Sequence, residues 1–66
     1  MRTWLRIIRI ARGMTEKQVA EKVGIAQPVY HRIEKGQGNP KVENAKKIAS
    51  VLGFDWTKFY PDKKTG

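Results

Sequence analysis

The chain has 66 residues with fourteen Lys or Arg against six Asp or Glu, a formal net charge of +8, and a length that allows one domain with a small core. It has no cysteine and a single histidine, which excludes a disulfide scaffold and a thiolate or histidine-rich metal site. The positive excess predicts a polyanionic partner, with nucleic acid the first candidate and an anionic membrane surface the second.

The first predicted helix covers residues 3–12. Apolar residues recur there at three- and four-residue steps, and no segment of the chain alternates as a strand does, so the sequence predicts an all-α fold. Leu5 and Ile8 share the side expected to face the core. The apolar arc is wider than one core contact needs, so part of it is expected to meet a partner. The candidates for this strip are Trp4, Ile7 and Ile10.

The second predicted helix, residues 16–23, has the clearest start signal in the chain. Thr15 stands at its N-cap and Gln18 follows three residues later, which is the pattern of a capping box. Gly24 fits the left-handed position that ends a helix. Only residues 24–26 separate this helix from the next, a spacing typical of a helix-turn-helix.

The third predicted helix covers residues 27–35, because proline is tolerated in a first turn and Gly36 ends the helix. Tyr30 and Ile33 lie on one side and are expected in the core. The opposite face is polar, basic and free of carboxylates, and it consists of Gln27, Pro28, His31, Arg32 and Lys35.

A fourth helix is predicted by one apolar stripe that ends at Gly53, and a short turn is expected to begin at Asp55. The stripe consists of Val42, Ala45, Ile48, Ala49 and Leu52. We therefore predict one domain over residues 1–61, with a helix-turn-helix at about residues 16–35, and a flexible tail at residues 62–66.

An ordered set of motifs makes the chain resemble the Cro/lambda-repressor-like (XRE) helix-turn-helix family over residues 5–60. The motifs are Leu5-Arg6-Ile7-Ile8-Arg9, Gly13-Met14-Thr15, Val19-Ala20-Glu21-Lys22-Val23-Gly24-Ile25, Ile33-Glu34-Lys35-Gly36, Asn39-Pro40 and Ile48-Ala49-Ser50-Val51-Leu52-Gly53. The resemblance implies a compact four- to five-helix domain that binds double-stranded DNA. It also implies a bacterial or phage transcriptional regulator, expected to be a repressor, that acts as a homodimer on a pseudo-palindromic operator.

The same resemblance assigns roles to individual residues. The third helix is expected in the major groove, where Gln27, Pro28, His31 and Arg32 face bases. Phosphate contacts are expected from Lys35, Lys41, Lys17 and Arg9. Arg9 also matches the family position that forms an ion pair with Glu34, so both roles stay open for Arg9.

Three positions depart from the family pattern. Glu16 replaces a common phosphate-binding glutamine, and its carboxylate favours the helix dipole but repels DNA. Ala26 replaces the usual Ser or Thr cap of the third helix and cannot accept a capping hydrogen bond. Ile7 and Ile10 stand where the family is generally polar, and this adds to the apolar strip.

The same sequence also allows other functions. Trp4, Ile7 and Ile10 also suit a protein-interaction module such as an antitoxin or anti-repressor component, and Trp56 suits a dimer contact. The arginine-rich first helix has a weaker resemblance to a membrane-surface helix. The sequence offers no catalytic residues, metal ligands, cofactor or small-molecule site. A cytoplasmic, nucleoid-associated protein is expected.

Overall fold

Four α-helices and one 3-10 helix make up residues 1–60, the part of the chain that the computed structural model describes. The helices are α1 (Thr3–Ala11), α2 (Glu16–Val23), α3 (Gln27–Lys35), α4 (Val42–Leu52) and the 3-10 helix Trp56–Phe59. The described part contains no strand, so the predicted all-α fold is confirmed. None of its helices has the length and apolar character needed to cross a membrane. The predicted flexible tail lies outside the described residues.

Local signals set the boundaries of the helix-turn-helix. The Oγ1 of Thr15 accepts a hydrogen bond from the backbone N–H of Gln18 at 3.1 Å. In return, the side-chain Oε1 of Gln18 accepts one from the backbone N–H of Thr15 at 2.9 Å. Gly24 ends α2 with φ of 87°, a conformation that glycine adopts without a steric penalty. α3 begins without a side-chain cap at Ala26. The capping box and the bounds of both helices therefore agree with the sequence prediction.

The core lies where all four helices and the 3-10 helix meet. Its ten residues come from every element: Leu5, Val19, Ala20, Val23, Tyr30, Ile33, Ala45, Ile48, Leu52 and Phe59.

Trp4 packs edge-on against Phe54 and Phe59, with ring centroids 5.3 Å apart in both pairs. Trp4 thus packs partly within the chain, whereas Ile7 and Ile10, the other residues of the predicted apolar strip, are exposed. The 3-10 helix covers part of the indole, and the periodicity of α1 alone does not reveal that contact.

A bidentate ion pair joins α1 to the buried side of α3. The Nε and Nη2 of Arg9 donate to the two carboxylate oxygens of Glu34 at 2.7 and 3.1 Å. The Tyr30 hydroxyl donates to the same carboxylate at 2.8 Å, and the Nη1 of Arg9 donates to the Met14 carbonyl at 2.9 Å. Glu34 is only 1% exposed. This network fixes the orientation of α3 about its axis.

The network also changes the protonation properties of its members. Burial by itself raises the pKa of Glu34, but the hydrogen bonds from Arg9 and Tyr30 outweigh it, so that pKa lies below its usual range. The pKa of the Tyr30 phenol is raised, mainly by burial and secondly by the hydrogen bond to Glu34. Glu34 is therefore ionised and Tyr30 neutral at pH 7, which is the combination that the hydrogen bonds require.

Arg2, near the start of the chain, forms hydrogen bonds with the end of α3 and with the loop that follows it. Its Nη1 donates to the Ile33 carbonyl at 2.6 Å and to the Gly38 carbonyl at 3.1 Å, and its Nη2 donates to the Asn39 side chain. Its backbone amide donates to the Glu34 carbonyl at 2.8 Å. The Ile33 carbonyl also accepts from the Gly36 backbone amide at 3.1 Å, so the bonds from Arg2 add to the cap at the end of α3.

Candidate nucleic-acid interface

The exposed face of α3 carries four of the residues that the sequence analysis singled out. Gln27, Pro28, His31 and Arg32 are all exposed, whereas Tyr30, Ile33 and Glu34 on the opposite side are buried. Helical periodicity produces this division, since positions separated by three or four residues share one side. Together with Glu16 from α2, the four exposed residues line a shallow concavity of about 410 Å³. The fold thus brings these side chains together.

A hydrogen bond crosses this surface between α2 and α3. The Nδ1 of His31 lies 3.0 Å from the Oε1 of Glu16. The His31 side chain is 49% exposed and the Glu16 side chain 22% exposed. Sequence reasoning treated Glu16 as a charge that opposes DNA and did not pair it with His31. The two residues are fifteen positions apart, and only the crossing of the two helices makes them neighbours.

The basic residues near this surface fall into two groups. Lys17, Lys35 and Lys41 are exposed, in the first turn of α2, the last turn of α3 and the N-cap of α4. Arg9 differs, because its side chain is 11% exposed and each of its three nitrogens donates to Glu34 or to the Met14 carbonyl. The geometry favours the structural role for Arg9 over the phosphate role.

The charge on α3 is one-sided. Glu34 is the only carboxylate within α3, and its side chain is buried against Arg9. The exposed side of the helix therefore presents Arg32 and Lys35 with no acidic residue of its own. Glu16 is the acidic residue that borders this face, and it faces His31. A polyanion that approaches α3 meets a positive surface interrupted at that one point.

The residues predicted to meet a protein partner lie elsewhere. Ile7 and Ile10 on α1 are 60% and 53% exposed. Trp56 is half-buried, with Tyr60 edge-on at 6.0 Å and the Lys46 ammonium 5.2 Å from its ring centre. Trp4 is half-buried against Phe54 and Phe59. Within residues 1–60 no group of three or more His, Asp or Glu side chains could hold a metal ion.

Comparisons with known proteins agree with this geometry. A family model described as helix-turn-helix matches residues 5–59. The chain is 44% identical over 62 residues to the uncharacterised HTH-type transcriptional regulator YqaF of Bacillus subtilis strain 168, which covers 94% of this chain and 82% of the relative. It is 30% identical over 61 residues to the cryptic phage CTXphi transcriptional repressor RstR of Vibrio cholerae, covering 92% of this chain and 55% of that protein.

A solved structure has the same fold. The N-terminal DNA-binding domain of SinR from Bacillus subtilis superimposes with a TM-score of 0.78 over 96% of this chain and 93% of that domain. The two sequences are 23% identical, so this likeness concerns the fold alone. The family match extends over most of the chain, and the predicted resemblance is confirmed. The chain belongs to the Cro/lambda-repressor-like (XRE) helix-turn-helix family of DNA-binding transcription regulators.

Proposed function

We propose that this protein represses transcription by binding double-stranded DNA at a specific sequence, with α3 in the major groove. The observation that carries the proposal is the exposed face of α3, where Gln27, Pro28, His31 and Arg32 lie together and their helix has no exposed carboxylate. An α-helix fits the major groove, in which each base pair presents a distinct pattern of donors and acceptors. The repressor role is suggested by the similarity to a phage repressor.

Sequence readout is assigned to the polar side chains of this face. Gln27 can pair with the N6 and N7 of adenine through its amide, and Arg32 can form two hydrogen bonds to the O6 and N7 of guanine. Each such bidentate contact contributes about 1–3 kcal/mol of discrimination against a wrong base. Pro28 and His31 complete the surface that faces the bases.

Phosphate binding is assigned to the exposed lysines around this face, Lys17, Lys35 and Lys41. We also assign phosphate binding to backbone amides at the start of α2, because a helix N-terminus attracts anions. These contacts set the register of the protein on the duplex and make its affinity depend on salt. We leave Arg9 out of this group, because its guanidinium already binds Glu34 and the Met14 carbonyl.

We propose further that the protein acts in the cytoplasm, on the nucleoid, as a homodimer on a pseudo-palindromic operator. The two half-sites would lie about one helical turn apart. The candidates for self-association are the exposed isoleucines Ile7 and Ile10 and the half-buried tryptophans Trp4 and Trp56. If so, Ile10→Lys yields a monomer by sedimentation, while Lys47→Ala on the exposed side of α4 does not. A wild-type monomer at high concentration, unchanged by Ile10→Lys, contradicts this assignment.

The experiment that tests the proposed function is selection of bound duplexes from a random pool. A regulator of this kind selects one consensus, and a dimer selects it as an inverted repeat. The second candidate function, a protein-interaction module such as an antitoxin or anti-repressor component, is favoured by the exposure of Ile7 and Ile10. That module would bind the pool only weakly, with strong salt dependence and without a consensus.

A further inference from the structure

We infer that Glu16 is a positioning residue for DNA readout, which holds His31 in one tautomer and directs its Nε2 toward the bases. This inference rests on the proposed function and deepens it. Glu16 lies at the first position of α2, where its family more often places a glutamine. In this chain the carboxylate is an acceptor for the His31 ring instead, with 3.0 Å between Oε1 and Nδ1.

The surroundings of Glu16 hold its carboxylate in place. The capping box of Thr15 and Gln18 fixes the backbone immediately before and after it. Its side chain is 22% exposed. The His31 ring, at 49% exposed, is the more open member of the pair.

The chemistry of this hydrogen bond defines the state of the histidine. An ionised carboxylate only accepts hydrogen bonds, so the Nδ1 of His31 must carry a proton. In the neutral ring the proton is then absent from Nε2, which becomes an acceptor. In the major groove the matching donors are the N6 amino group of adenine and the N4 amino group of cytosine. His31 would thus favour adenine or cytosine at the base it contacts.

Two other roles for Glu16 give different results. If Glu16 only repels phosphate, removing its charge raises affinity for every sequence equally, with no effect on selectivity. If Glu16 itself accepts from a cytosine N4, its removal changes selectivity whether or not His31 is present. A positioning role is distinct from both, because it acts through His31 alone.

The first arm of the test needs no DNA. The ¹⁵N chemical shifts of the His31 ring, measured at about pH 8, report which nitrogen carries the proton. We expect the Nδ1–H tautomer in the wild type. Glu16→Gln should weaken this preference, because its side-chain amide can accept from Nδ1–H or donate to an unprotonated Nδ1. We expect Glu16→Ala to shift the population toward Nε2–H, and Lys17→Ala, the matched neighbour in α2, to leave it unchanged. Equal shifts in the wild type and Glu16→Ala overturn the inference.

The second arm measures Kd for the selected duplex and for duplexes with one base pair changed. Glu16→Ala should reduce the ratio between them about fivefold at the pair read by His31, the usual effect of one hydrogen bond. Glu16→Gln should lower that ratio less than Glu16→Ala does, and the loss of its negative charge should tighten binding to all duplexes. In a His31→Ala background, Glu16→Ala should leave the ratio unchanged; a persisting change overturns the positioning role. Thermal melting of each variant confirms that it is folded.

The outcomes also separate this inference from the proposed function. If the wild type selects no consensus from the random pool, the proposed function fails, and the readout role of Glu16 fails with it. If the wild type selects a consensus but Glu16 and His31 act independently, the positioning role alone is overturned and the regulator assignment stands.

Discussion

Replacing Arg9 by alanine should leave about half of the protein unfolded at 25 °C. The substitution removes three hydrogen bonds, two to Glu34 and one to the Met14 carbonyl, and leaves the carboxylate with Tyr30 as its one remaining partner in the network. The two side chains of the ion pair are only 11% and 2% exposed. Removing one partner of such a buried pair costs about 3–5 kcal/mol. A domain of this size has a net free energy of unfolding of about 3–5 kcal/mol. The cost of the substitution is therefore about as large as the whole net stability.

The assay is urea unfolding followed by far-ultraviolet circular dichroism. The control is the combined variant Arg9→Met, Tyr30→Phe and Glu34→Leu, which replaces all three polar groups by apolar ones of similar volume. It should recover most of the stability, because the cost of the single change is an unpaired buried charge rather than lost packing. A loss below about 1 kcal/mol for Arg9→Ala would refute this reasoning, since it would mean that Glu34 stays solvated or neutral at little cost.

The remaining predictions concern pH, caps, glycine and DNA. The pKa of Glu34 is lower in the folded state than in the unfolded one. The stabilisation from its ionised carboxylate is therefore complete above the unfolded pKa of about 4.3 and is lost as the pH falls through the folded pKa. Over this acidic range the urea midpoint of Glu34→Gln should fall less steeply than that of the wild type. Thr15→Ala should cost about 1 kcal/mol of unfolding free energy and Thr15→Ser much less. Gly53→Ala should cost more than about 1 kcal/mol, because φ is 80° and the new methyl group would meet the Arg12 guanidinium. In salt titrations, Arg32→Ala should relax preference at one base pair per half-site, whereas Lys35→Ala should weaken all duplexes alike and lower the salt slope by about one; equal losses on specific and random DNA for both would remove the base-readout assignment.

The sequence alone was sufficient to predict the helices and the residues on the exposed face of α3. The bounds of α2 and α3 follow from the Thr15 capping box and from glycines at 24 and 36, which are interactions within a few residues. Such local signals do not depend on what the helix packs against. The same is true of the polar face formed by Gln27 and its neighbours, because helical periodicity alone places them on one side.

The tertiary structure decided how the charged and aromatic side chains are used. Arg9 suited either Glu34 or a phosphate by sequence, and the fold commits its guanidinium to a carboxylate 25 positions away. Arg2 and Arg12, which sequence reasoning counted only as positive charge, bind carbonyls 31 and 40 positions away. The pairing of Glu16 with His31 arises in the same way, across two helices. Composition determines the net charge of +8. The packing of the helices determines which acceptor lies within hydrogen-bond distance, about 3 Å, of each long charged side chain. That choice depends on contacts distant in sequence, which no local pattern contains.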